Sequence, residues 1–325
     1  MRASTDLRLR CVILASAIAL CACSDSVGPG IPKGKTHPAG VVAATVAIGA
    51  RPYGIGLFGT TGVVTQLDAS QIVRFDIGSA HVLDSIRVGT VPTGIVLFGT
   101  GTSAAVTNQQ DATIGFVDLT AKVQTVLVSG PSNTFRVLTS RDEKHLYATA
   151  SVGSLGVIAL PGHTIEKSLP VGGGANGLAL SPDGNKLYVS ATSGVITVVD
   201  TRSNTVARTI NLGGLLQDIA VSVDGKELYV ADEASNQIHV LDEANGTLKT
   251  NIEMGAPMFG LSLTPDGTQL YATSALAGML WVVDRVSRAK VSSIPVAGTP
   301  RRIAFDESGA VAVVSNEGGW VSIIH

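Results

Sequence analysis

Apolar residues in this chain come in short runs rich in Val, Ile and Leu, and turn-forming residues separate the runs. Nine-residue segments that close on glycine return seven times: VVAATVAIG, HVLDSIRVG, KVQTVLVSG, TIEKSLPVG, TVARTINLG, TLKTNIEMG and KVSSIPVAG. Their glycines are Gly49, Gly89, Gly130, Gly172, Gly213, Gly255 and Gly298, spaced 40 to 43 residues apart. In the first segment Val42, Ala44, Val46 and Ile48 fall on alternate positions, the period of a strand with one buried face. Between successive segments lie three more runs of strand length, as in NGLALS, KLYVSA and VITVVD. Val, Ile and Tyr favour the pleated, half-buried surface of a sheet.

The turns are legible too. Pro182, Asp183 and Gly184 suit a tight turn: proline presets φ, Asp bonds nearby backbone and glycine accepts positive φ. The same order returns in TPDGTQLYAT and SVDGKELYVAD. Asp76, Asp118, Asp200, Asp242 and Asp284 close the third strand at one register, and Ala159 breaks the series in the third repeat. Four short strands per period of this length predict a blade of a β-propeller, an all-β fold in which stacking buries faces that no blade can bury alone.

The last repeat ends at His325 without a fourth strand, while the first glycine-closed segment has no strands before it. Ring closure resolves both: the N-terminal strand completes the final blade, giving seven four-stranded blades and leaving no long exposed edge. LYVS, LYVA, LYAT and AVTN, with PDG before and VVD after, resemble the YVTN β-propeller repeat family, also called YncE-like, over residues 41–325. The resemblance implies a secreted, periplasmic or surface protein of bacteria or archaea. Related seven-bladed propellers include lactonases and heavy chains of quinoprotein amine dehydrogenases. The motif specifies fold more than function.

Ahead of the repeats, Arg2, Arg8 and Arg10 form a basic region, followed by an apolar stretch at 12–20 that is too short to cross a bilayer about 30 Å thick. Residues 1–22 read as a signal peptide. Leu20, Cys21, Ala22 and Cys23 resemble a lipobox, which implies lipidation of Cys23 and residence in the bacterial cell envelope, at an outer membrane or its periplasmic face. Residues 23–40, rich in Gly and Pro, read as a flexible tether. All three cysteines, Cys11, Cys21 and Cys23, precede the repeats, so the propeller is expected to fold by burial, without disulfides. Removing residues 1–22 takes away three Arg and one Asp and leaves a formal net charge of −4. Nucleic acid is not an expected partner of such a chain, and a monomer is expected.

Catalytic signatures are sparse. His37, His81, His145, His163, His239 and His325 fall at no metal-ligand spacing and read as scattered surface residues, and neither a metal nor a cofactor is expected. GGGANG at 172–177 leads into a strand instead of a helix, so it reads as a turn and not as a phosphate loop. No residue is assigned to catalysis.

The mouth of the central channel holds the candidate site. Where each first strand begins, the residues align as Tyr53-Gly54, Thr93-Gly94, Phe135-Arg136, Asn176-Gly177, Gln217-Asp218, Phe259-Gly260 and Arg301-Arg302. Glycine in the second column is replaced in three blades by Arg136, Asp218 and Arg302. With Arg51, Tyr53, Phe135, Gln217, Phe259 and Arg301, these form a basic and aromatic set suited to a carboxylate or phosphate. Arg136→Gly and Arg302→Gly are expected to keep the fold and weaken binding. Loops after the second strands add Asn108, Gln109, Gln110, Asp111, Asp232, Glu233, Asn236, Asn316 and Glu317 to the rim. The composition favours a lipid-anchored binding or scaffold module for an envelope protein or a small anionic ligand. The alternative is a lactonase-like hydrolase or lyase that uses the Arg/Asp cluster.

Overall fold

Every repeat folds into one antiparallel sheet of four strands, and seven such sheets form the ring. The computed structural model describes residues 34–160 and 162–325. The stretch expected to be a signal peptide and Cys23 lie outside the described residues, as does the expected tether up to residue 33. Blade one spans 52–87, two 92–129, three 134–170, four 175–211, five 216–253 and six 261–295. Blade seven combines three strands at 300–324 with the N-terminal strand Val42–Ala47, which pairs antiparallel with Trp320–Ile324.

Burial follows the alternation in the sequence. The second and third strands of the blades are buried along nearly their whole length, while the outermost strand is largely exposed. Apolar clusters lie between neighbouring blades, as where Val46, Val321 and Ile323 of blade seven meet Val64, Val73 and Phe75 of blade one. The core is therefore a set of inter-blade layers, and the closing strand belongs to two of them: Val42 packs on the six–seven layer and Val46 on the seven–one layer.

Hydroxyl groups staple the inner strands together. Thr107 Oγ1 accepts from Gly94 N at 2.7 Å in its own blade and donates to Phe135 O of the next blade at 2.8 Å. Thr273 does the same between Gly260 N and Arg301 O, each at 2.8 Å, and Ser315 between Arg302 N (3.0 Å) and Tyr53 O (2.5 Å). This contact explains the glycine column. A Cβ on Gly54 would lie 2.3 Å from Thr93 O, and one on Gly260 would lie 2.1 Å from Arg301 O. In blade five the hydroxyl position is Ala231. There Asp218 Oδ2 reaches the next blade instead, accepting from Leu261 N at 3.3 Å.

A second set of contacts ties the blades at their periphery. Tyr147 OH donates to Asn204 Oδ1 of blade four (3.2 Å), Tyr188 OH to Glu243 Oε1 of blade five (2.7 Å), and Arg288 Nη1 of blade six donates to Tyr229 OH (3.2 Å). All three partners sit in the turn between the third and fourth strands of the next blade. Tyr271 has no such turn to meet, because the last two strands of blade seven come from opposite ends of the chain. Its hydroxyl donates instead to Pro38 O at 3.3 Å.

Residues 35–40 thus occupy the place of the missing turn. Thr36 N donates to Ser308 O at 2.9 Å, Lys35 Nζ to Glu307 O at 2.6 Å, and His37 Nδ1 lies 2.7 Å from Asp266 Oδ2. This end of the stretch read as tether is fastened to blades six and seven. Another sequence expectation also changes: His239 is buried, with Nε2 3.1 Å from Asp232 Oδ2 and Nδ1 2.8 Å from Asn251 Oδ1.

Candidate functional site

The three polar residues that replace glycine on the inner strands belong to blades three, five and seven, and they converge at the axis. Arg302 is 1% exposed. It donates through Nη1 to Asp218 Oδ2 at 2.9 Å and through Nη2 to Asn176 Oδ1 at 2.7 Å. Arg136 approaches the same carboxylate from blade three, with Nη2 3.7 Å from Asp218 Oδ1. One carboxylate thus serves two guanidinium groups. Neither Arg136 Nε nor Arg302 Nε has a hydrogen-bond partner among the described residues.

Hydrogen bonding continues sideways from this pair. Asn176 Nδ2 donates to Gln217 Oε1, and Gln217 Nε2 donates to Glu233 Oε2. Asn176 stands in the same alignment column as Tyr53, Phe135, Gln217 and Phe259 and is a full member of the network. Sequence reading did not single it out, since an isolated Asn beside glycine carries no charge signal.

Aromatic rings wall the guanidinium groups. Tyr53 meets Phe135 and Phe259 edge to face, with centroids 5.8 Å and 6.2 Å apart. Arg302 Cζ lies 5.7 Å from the Tyr53 centroid, 5.8 Å from Phe135 and 4.7 Å from Phe259. Cation–π attraction of this kind strengthens when water is excluded. Burial raises the Tyr53 pKa even though Arg302 and Arg301 oppose the rise. Burial, followed by repulsion from Arg302, lowers the Arg136 guanidinium to about 10.

At the rim, Glu317 joins the other two arginines. Arg51 Nε and Nη2 donate to Glu317 Oε2 at 2.9 Å and 2.5 Å, while Arg301 Nε donates to Oε1. Arg51 also reaches Asp68 Oδ1 at 3.4 Å. Arg51 belongs to the approach to blade one and Glu317 to blade seven, so this pair spans the seam of the ring. Two other rim residues are loop fasteners. Asn316 Oδ1 accepts from Thr299 N and Gly318 N at 2.8 Å and 2.9 Å, and Asp232 Oδ1 accepts from Leu215 N and Ala234 N at 2.8 Å and 3.0 Å.

All nine residues proposed for the mouth therefore lie in one layered cluster, though their parts differ. Arg302 crosses the axis as a plug, with contacts to blades one, three, four, five and six. Glycine at that position would leave a cavity and take from the buried Asp218 carboxylate its closest cation, so the expectation that Arg302→Gly spares the fold is replaced. Arg136, whose side chain is 25% exposed, and the rim pair Arg51 and Arg301 are the groups an incoming ligand can reach. Asp218 is held by Arg302, Ile219 N and Leu261 N. Among the described residues no group of three His, Cys, Asp or Glu side chains is placed to hold a metal.

No protein-family model matches the chain, and no curated protein does. Solved structures match in large number, 1881 chains, which makes the likeness one of architecture. The hydrazine synthase of Kuenenia stuttgartiensis superimposes with a TM-score of 0.79 at 17% identity, over 85% of this chain and 96% of that one. At such identity the comparison establishes the propeller fold alone.

Proposed function

We propose that this seven-bladed β-propeller is a non-enzymatic binding module of the bacterial cell envelope, related to the YVTN-repeat proteins and held at the membrane by lipid on Cys23. Its ligand is a carboxylate, carried by a small molecule or by an acidic side chain of an envelope protein, and it binds at the channel mouth. The observation that carries this reading is the sharing of the single Asp218 carboxylate by Arg136 and Arg302 in an aromatic-walled layer. A buried cation without its own counter-charge favours an anion, and the excess of one formal charge suits a monoanion. Two acyl chains on one cysteine would hold a protein at a membrane where a single chain is marginal.

Orientation supports display. Residues 35–40 run along the face that carries the PDG turns, beside Ser308 and Asp266. A chain tethered from that face presents the opposite one, with Arg51, Arg301 and Glu317, away from its anchor. The enzymatic alternative, a lactonase-like hydrolase or lyase, needs Asp218 as a base. The three hydrogen bonds that hold its carboxylate weigh against that role.

The test combines two measurements. Calorimetric titration with aromatic and aliphatic carboxylates should show binding that Arg136→Gln weakens at least tenfold, more at low salt than at high. Cell fractionation should find the protein with membranes and the Cys23→Ser form in the soluble fraction. Carboxylate binding indifferent to Arg136, or a soluble wild type with an unmodified N-terminus, would sink the corresponding half of the reading.

A further inference from the structure

On the turn face grooves run between neighbouring blades from three to six, and these grooves differ in charge. The groove between blades four and five is lined by Asp183, Asp224 and Glu243 against one cation, Lys186. The next groove, between blades five and six, reverses the balance. Lys226, Lys249, Arg285 and Arg288 line it against Asp224 and Glu227, around a recess of about 270 Å³. Both grooves share the fold position and the underlying tyrosine, so blade packing alone does not call for the extra cations.

Glu227 forms the floor. It accepts from Tyr229 OH at 2.5 Å, Lys249 Nζ at 2.8 Å and Arg288 Nη2 at 2.6 Å, so three of its roughly four acceptor sites are taken. Arg285 is left over. Its Nη1 lies 3.9 Å from Glu227 and 4.0 Å from Asp224, beyond hydrogen-bond reach of either. Its Nε is buried without a partner among the described residues, and the side chain as a whole is only 21% exposed. Lys226 enters no ion pair among those residues. Covering a guanidinium while leaving its donors unused is unfavourable unless an acceptor arrives from outside.

We propose that the groove between blades five and six binds a phosphoryl group, as inorganic phosphate or as a phosphate monoester. Four cations against two carboxylates leave two positive charges in excess in the groove, which match the charge of about −1.5 to −2 that such a group carries near neutral pH. A guanidinium fork can engage two of its oxygens at once. At about 30 Å³ per water, the recess holds roughly nine waters' worth of volume, enough for the group and part of its hydration. This site is separate from the channel mouth and stands whether or not the mouth binds a carboxylate.

Titration calorimetry with inorganic phosphate against chloride at matched ionic strength reads the site directly. One phosphate per chain is expected, weakened at least tenfold by Arg285→Gln and severalfold by Lys226→Gln, and unchanged by Arg136→Gln. Both substituted side chains lack hydrogen bonds among the described residues, so the variants should melt near the wild-type temperature. A second arm tests the source of the phosphoryl group. The Cys23→Ser chain is sedimented with vesicles of phosphatidylcholine, with and without phosphatidic acid. Capture only by phosphatidic acid, lost in Arg285→Gln, assigns a lipid headgroup; binding only of dissolved phosphate assigns a soluble ligand. Absence of both, or binding that Arg285→Gln and Lys226→Gln leave intact, overturns the proposal.

Discussion

A chain shortened to begin at Ala50 is expected to lose the closed ring, to melt at least about 10 °C below the full-length protein and to aggregate. The closing strand is bound at both ends. Val41 N and His325 O, and His325 N and Val41 O, pair at 2.9 Å, while Ile48 N and Gly49 N both donate to Gly319 O at 2.8 Å. Between them Val46, at 3% exposure, sits between blades seven and one. Burying one such side chain contributes about 1.5–3 kcal/mol, and each ladder hydrogen bond adds about 0.5–1.5 kcal/mol. Together these reach a large share of a typical stability of about 5–15 kcal/mol. Truncation would also bare the edge of Trp320–Ile324, a template for intermolecular pairing. Scanning calorimetry with size-exclusion chromatography checks the outcome, and a truncated chain that stays monomeric and melts at the original temperature would refute closure. A milder cut to Val41 removes only the docked segment with its Pro38 and His37 contacts, and should shift the melt by a few degrees.

Asp218→Asn should lower the unfolding free energy by about 3–5 kcal/mol, the usual cost of removing one partner from a buried ion pair. The substitution keeps the shape of the side chain, so the loss reports charge. Arg302 would remain at the axis, buried among Tyr53, Phe135 and Phe259 with Asn176 to receive it, and Arg136 would lose the one carboxylate it pairs with among the described residues. Arg302→Met in the Asp218→Asn background should recover part of the loss, because it removes the more deeply buried charge. Denaturant melts of the single and double variants measure the coupling. A single-variant loss under about 1 kcal/mol would mean that the pair is not what holds the axis.

The sequence by itself determined the architecture of this protein. A repeat of short β-branched runs, with PDG turns and a closing glycine, specifies one blade. Seven copies, a missing last strand and a surplus first one specify the closed ring. Such features are local, and each blade repeats them, so periodicity makes them legible. The sequence also put the nine mouth residues in one place, since equivalent positions of a ring must meet at its axis.

What each of those residues does was decided by tertiary structure. Arg302 and Asp218 are 84 positions apart and Arg302 and Asn176 are 126; alignment columns do not reveal which blades face each other across the channel. Nor could the glycine-rich stretch show that Pro38 and His37 take the place of an absent turn, because the contact depends on Tyr271 and Asp266 of another blade. The reversed charge of the groove between blades five and six has the same origin. Lys226 and Arg285 come from different blades, and only the stacking of blades sets their cations around one groove.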